Sequence, residues 1–194
     1  MKKQIIAIMV IIAVLVIAVI GVIVATSNKN NSGVAKIETA EQMKNMMKTI
    51  NSNLREELPQ LEIEEIDASD EELVAVYTGL QSNKDVEKLI VSEPLMTSQA
   101  YSAVVIKTKS NANIENMKQE ILENINMRKW ICVSAEKLYV TNSDNIIFLV
   151  MSDEDWAKPV YEEFKKYVDN KIGKELEKSE EEEDIELPTE MIVQ

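Results

Sequence analysis

The chain contains no histidine, and that closes every Ser-His, Cys-His and His–metal arrangement. It has one cysteine, Cys132, so neither an intramolecular disulfide nor a Cys-rich zinc site can form. Beside Trp130 and Val133, that thiol reads as a small buried hydrophobe. Aromatic residues are few, and basic charge is scarce against 34 acidic side chains. Trp156, Phe164 and Tyr167 stand at helical spacing and read as core rather than as a carbohydrate contact. No internal repeat is present.

What the chain has in abundance is one long apolar run. After Met1-Lys2-Lys3, residues 4–25 carry no charge. At ~1.5 Å rise per helical residue such a run covers a hydrocarbon core of about 30 Å. A signal peptide has a shorter apolar core and a small-x-small cleavage site. Here Ile23-Val24-Ala25 is a poor one, and no cysteine follows to take a lipid. Residues 4–25 are therefore expected to be an uncleaved transmembrane anchor. Lys2 and Lys3 precede the run and only Lys29 closely follows it, so the positive-inside rule puts residues 1–3 in the cytoplasm and the rest outside.

The expected organisation is a stalk over residues 26–36, one extracytoplasmic domain over 37–170 and an acidic, disordered tail over 171–194. The exported part carries 19 basic and 34 acidic side chains, a net charge of −15. A field of that sign repels phosphate backbones, which excludes nucleic acid as a natural partner, and it disfavours anionic lipid heads. The expected partners are the membrane, through the single span, and a protein of the cell envelope.

Local signals place four helices. Thr39-Ala40-Glu41-Gln42 fits a capping box, followed by a stripe of Met43, Met46, Met47, Ile50 and Leu54 that Pro59 ends. Ser69-Asp70-Glu71-Glu72 is a second box, with Leu73, Val76, Tyr77 and Leu80 as the apolar face and Gly79 suited to the C-terminal cap. Ile114, Met117, Ile121 and Ile125 mark the third helix. The fourth opens with acids at Ser152-Asp153-Glu154-Asp155 and has Trp156, Val160, Phe164, Tyr167 and Val168 as its face. Pro159 predicts a later start or a local break there.

Strand signals are strongest at Tyr101–Thr108 and at Lys137–Thr141 with residues 145–151, the last two joined by the turn Asn142-Ser143-Asp144. Ile146-Ile147-Phe148-Leu149-Val150 lacks polar alternation and reads as a central strand covered on both faces. Leu61–Ile66 is ambiguous between strand and loop, and residues 86–93 form a further candidate strand. The expected fold class is α+β: a mostly antiparallel sheet of three to four strands, flanked by about four helices packed on one face.

Catalytic patterns are thin. Ser134-Ala135-Glu136-Lys137 is an S-x-x-K match and Ser143-Asp144-Asn145 an S-D-N match, two elements of serine acyl-transfer enzymes acting outside the membrane. The two lie far too close together for that architecture, and Lys107-Thr108-Lys109 only half resembles the third element. Lys137 also falls at a strand start, where a residue three positions away points to the opposite face. Carboxylate pairs are common: Glu64 with Glu65, Asp70 with Glu71, Asp153 with Asp155. They read as solvated faces and helix caps, and Asp153-Glu154-Asp155 lacks the glycine and distal glutamate of a calcium loop. No catalytic, cofactor-binding or metal-binding residue is assigned. The expectation is a non-catalytic interaction or binding module, with an envelope hydrolase (Ser134 with Lys137, or a carboxylate pair) as the alternative.

Four ordered pieces carry a resemblance. They are Tyr77-x-Gly79-Leu80, then Glu93-Pro94-Leu95-Met96 at the end of residues 86–96. Ala103-Val104-Val105-Ile106-Lys107 follows, before a helix, and last comes Asp144-Asn145-Ile146-Ile147-Phe148-Leu149-Val150-Met151-Ser152. Over residues 37–170 the chain resembles the domain-of-unknown-function family numbered 4358, exported proteins of Gram-positive bacteria held by a lipid or a helix. The resemblance implies an exported, anchored domain and brings no activity. The family's lipoprotein cysteine has no counterpart here, where an apolar run stands in its place.

Overall fold

The computed structural model describes residues 36–54, 58–96 and 98–180, which belong to one compact unit beginning at Lys36. The anchor expected over residues 4–25 lies outside the described residues. Among those described, no helix is long and apolar enough to cross a membrane.

Helix α1 (Ala40–Asn53) starts where the capping box demands: Gln42 N–H donates to Thr39 Oγ1 at 3.2 Å and Thr39 N–H to Gln42 Oε1 at 3.0 Å. Both donors are otherwise orphans of a helix start. Strand β1 (Leu61–Ile66) follows, then α2 (Glu71–Thr78), whose N-cap is Asp70 rather than Ser69. The Asp70 carboxylate accepts from both Glu72 and Leu73 N–H. Gly79 closes α2 at φ 78°, and a Cβ there would lie 2.5 Å from the Ile125 nitrogen. Only glycine fits that left-handed, backbone-crowded position.

Strands β2 (Val86–Pro94) and β3 (Tyr101–Thr108) lead into α3 (Ile114–Asn124), capped by Asn113. The hairpin β4 (Lys137–Ser143) and β5 (Ile146–Ser152) turns through Asp144 at φ 50°. Helix α4 (Glu154–Tyr167) runs through Pro159, which forfeits one N–H bond near the helix start, while Val160 and Phe164 beyond it are buried. Strand β6 (Leu176–Ser179) ends the described chain.

The sheet has six strands in the order β1-β2-β3-β5-β4-β6, and every neighbouring pair is antiparallel. Three to four were expected. The extra strands are β1, whose alternation was ambiguous, and β6, which lies where a disordered tail was expected to begin. Four charges in the stretch from 174 to 178 hid β6, yet Leu176 pairs with Val140 and Ser179 with Lys137.

The helices also cover both faces rather than one. Helices α2 and α3 pack over Leu89, Val91, Val104, Ile106, Leu138, Val140, Ile147 and Leu149. On the other face Phe148 stacks on Phe164 of α4 at 4.3 Å, and Tyr139 on Tyr161 at 5.0 Å. Helix α1 shares that second face, bonding through Asn51 to Ser92 and through Asn53 to Glu163 of α4. A topological argument explains the division. Connections β3-α3-β4 and β5-α4-β6 each join parallel strands across an intervening one and step the same way through the sheet. Their starting strands run in opposite directions, so crossovers of one hand must lie on opposite faces. Every residue of β3 and β5 is buried in consequence, as the unalternating run of β5 led one to expect.

Candidate functional site

Three segments meet where β2 ends and β3 begins: α2, the turn after Pro94, and the connection from α3 to β4. Ala135 N–H donates to Met127 O at 2.8 Å and pins the base of that connection. It delivers Lys129 into the cleft between α2 and the sheet. The Lys129 ammonium is paired with the Glu93 carboxylate, donates to Ser102 Oγ at 3.2 Å, and lies 4.9 Å from the Tyr77 ring centre and 5.4 Å from that of Trp130. Its side chain is only 12% exposed. Burial lowers its pKa below the ordinary lysine value, and the Glu93 charge opposes that shift in part.

Alternation along β1 sends Glu62 and Glu64 to the same face as Glu93 and Val91, their registered partners in β2. Together with Tyr77, Pro94 and Leu95 these residues line a cleft of about 200 Å³. The Tyr77 phenol is held above its ordinary pKa, first by burial and then by the negative charges of Glu93 and Glu64. Lys44 of α1 meets Glu65, which points to the opposite face, so Glu64 and Glu65 do not act as a pair. Among the described residues no cation pairs with Glu62, Glu64, Glu71 or Glu72.

Most of the exposed large apolar side chains of the described domain belong to the three segments that meet here. Leu73 (37% exposed) and Val76 (51%) come from α2, Leu95 (57%) and Met96 (64%) from the turn after β2, and Ile131 (69%) follows Lys129-Trp130. The remaining one, Tyr167, is on α4. The α2 result corrects the expected core face: Val74 and Thr78 are buried instead, and of the expected stripe only Leu80 is fully so. The roll of this two-turn helix is set at its ends, by the Asp70 cap and by Gly79 against Ile125. With Val74 turned inward, the Leu73–Val76 edge faces out. Cys132 is a second correction, since it is exposed, at φ 63°, rather than buried.

The catalytic patterns fall apart in space. Lys137 Nζ donates to Glu177 at 3.1 Å and to Ser179 Oγ at 2.7 Å, across to β6. Hydrogen bonding to Glu177 raises its pKa, the opposite of what an activated base needs. Ser143-Asp144-Asn145 forms the turn at the other end of β4, about 20 Å away at strand rise. Lys107 is engaged by Glu87 and Glu38. Asp70 is spent on its helix cap, and Asp153 has its pKa raised by burial and by the neighbouring Glu136 and Asp155. Among the described residues no group of acids and cysteine could hold a metal ion.

A second cleft, of about 380 Å³, lies between α4 and β6. Its polar groups are spent on structure: Tyr161 donates to Glu175 at 2.7 Å, Lys165 pairs with Glu175, and Lys137 with Glu177. Sequence reasoning missed Lys129 as part of a site. Lys129 and Glu93 are 36 positions apart, and no local period links them; the one available signal was Lys129-Trp130, a cation beside an aromatic between two elements. In comparisons with known proteins, no family model matches the chain, and neither a curated protein nor a solved structure matches it.

Proposed function

We propose that this chain is a membrane-tethered, extracytoplasmic binding module without catalysis, and that its binding face is the apolar edge of α2 with the cleft beneath it. The anchor is residues 4–25, with Lys2 and Lys3 inside and the domain outside, in keeping with the resemblance to exported family 4358. The observation that carries the reading is the Leu73–Val76 edge. A pair with core spacing lies in water, on one of the three meeting segments whose others expose Leu95, Met96 and Ile131. Contiguous exposed apolar surface of this kind marks interaction sites. The chain enters the domain at Lys36, beside Glu38 and near Lys107, at the far end of β3 from this face.

The hydrolase alternative finds less support. Its lysine is bound to Glu177 and Ser179, Glu64 and Glu65 are separated by the sheet, and Asp70 is used as a cap. In the test, a photo-reactive residue replaces Val76 in the full anchored chain, and living cells are irradiated. A discrete adduct is expected from position 76 and none from Lys158 on α4, whose side chain is 63% exposed on the opposite face. Equal yields from both positions, or none from either, would refute the reading.

A further inference from the structure

Resting on that binding face, we infer the chemistry of its occupant: a basic, amphipathic segment of another protein, presenting apolar side chains flanked by lysine or arginine. The argument is charge complementarity around an apolar strip. Leu73 and Val76 are bordered on their own helix by Glu72, four residues before Val76 and so on the same side. Across the cleft stand Glu62 and Glu64, and none of these three carboxylates is paired with a cation among the described residues. Lys129, which reaches Glu93 and Tyr77 of the cleft wall, is already committed to Glu93 and Ser102. An apolar partner lacking positive charge would strand these acids beside a drying interface, whereas one bearing cations would pair them at the rim. The same cleft joins the carboxylates of Glu62 and Glu64 to the apolar Val91, Pro94 and Leu95, a setting suited to an ammonium or guanidinium group on its aliphatic stem.

The same charges disfavour the other occupants. Residues 181–194 of this chain contain an apolar Met191-Ile192-Val193, but they also carry six acids and no lysine or arginine. A second copy docked symmetrically would bring Glu62 and Glu64 towards their own equivalents. An anionic lipid surface meets the same repulsion.

The test uses the full anchored chain in cells, with the photo-reactive residue at position 76, in three backgrounds: parent, Glu62→Gln with Glu64→Gln, and the charge-matched control Glu41→Gln with Glu123→Gln on exposed positions of α1 and α3. Yield is normalised to the amount of anchored protein, and the crosslinked peptide is read by mass spectrometry. The expected result is a yield at least about fivefold lower in the Glu62/Glu64 background and unchanged in the control, with the crosslink in a segment rich in lysine or arginine. A strong adduct indifferent to Glu62 and Glu64 would overturn this inference and leave the binding face standing. A crosslink to residues 181–194, to a second copy, or to an acidic segment would also overturn it. Absence of any adduct in the parent would overturn the binding face itself.

Discussion

Lys118 and Lys129 are both drawn largely out of solvent, and their surroundings differ. Lys118 on α3 has a side chain with no exposure, and its ammonium meets Asn142 Oδ1 at 2.7 Å, Lys174 O at 2.8 Å and Glu115 Oε1 at 2.8 Å. All three of its donors are used: Glu115 lies on α3 itself, and Asn142 and the Lys174 carbonyl tie α3 to β4 and to the approach to β6. Gly173 fits against the same asparagine so closely that a Cβ would come 2.2 Å from Asn142 Oδ1. Lys129, by contrast, has one carboxylate, one hydroxyl and two ring faces, in a cleft that opens to solvent. A buried ammonium with three good acceptors is a strut. Lys129 is held partly by aromatic faces, and it borders the binding face proposed above.

The comparison is broken most severely by cutting away what Lys118 holds. A domain running from residue 36 to residue 170 loses β6, the Lys174 carbonyl and both β6 partners of Lys137. It is expected to melt far below one ending at residue 180, or not to fold cooperatively, as circular dichroism on heating would record. Equal melting of the two would mean that β6 contributes nothing to the sheet.

Next in size come the lysines themselves. Lys118→Met leaves Asn142 and a carbonyl without their buried donor, and the expected loss is about 3 kcal/mol. In Lys129→Met the expected loss is about 1 kcal/mol, because Glu93 can reach water and the methionine still packs against the rings. Urea denaturation of both variants measures the difference, and a reversal of the order would reverse the roles assigned here.

The smallest effect, and the one that sharpens the contrast, is in pH dependence. In the C-terminal region the Tyr161 hydroxyl and then Lys165 hold the Glu175 carboxyl below its ordinary value of 4.5. A lowered carboxyl contributes stability that is present above 4.5 and is lost as pH falls through the folded value. In the cleft the slope has the same sign, but the lowered lysine is a cost at neutral pH where the lowered carboxyl is a gain. Burial lowers the Lys129 pKa below 10.5, so between the folded value and 10.5 the unfolded chain binds more protons. Stability due to this group therefore rises with pH in that window. Melting temperatures across pH should show the acid-side loss diminished in Glu175→Gln and the alkaline-side rise diminished in Lys129→Met. Crossed effects would show that the two regions are not independent.

Much of the domain was legible along the chain. The Thr39 box, the methionine stripe of α1, the Asn113-led α3 and the β4–β5 turn at Asp144 depend on residues within a turn or two of each other. Capping, helical period and turn chemistry act over that range and win there. The central position of β5 was equally readable, because five consecutive apolar residues have no polar face to offer solvent. The expected anchor likewise rests on sequence alone, since a charge-free run and its flanking lysines need no tertiary partner to be recognised.

What the tertiary structure decided is whatever depends on distant pairing. Strand β6 alternates charge with little apolar area, and only the edge of β4 makes it a strand. The division of helices between two faces follows from strand direction and crossover hand, which no local window contains. The roll of α2 was set by Gly79 against Ile125, in another element, and this placed Val74 inside and Val76 outside. The cleft arose from Lys129 and Glu93, whose meeting requires the whole α3–β4 connection to fold back over the end of β2. Local chemistry sets which segments are helix or strand; burial, being non-directional, is resolved only when the segments pack and leave one apolar edge without a neighbour.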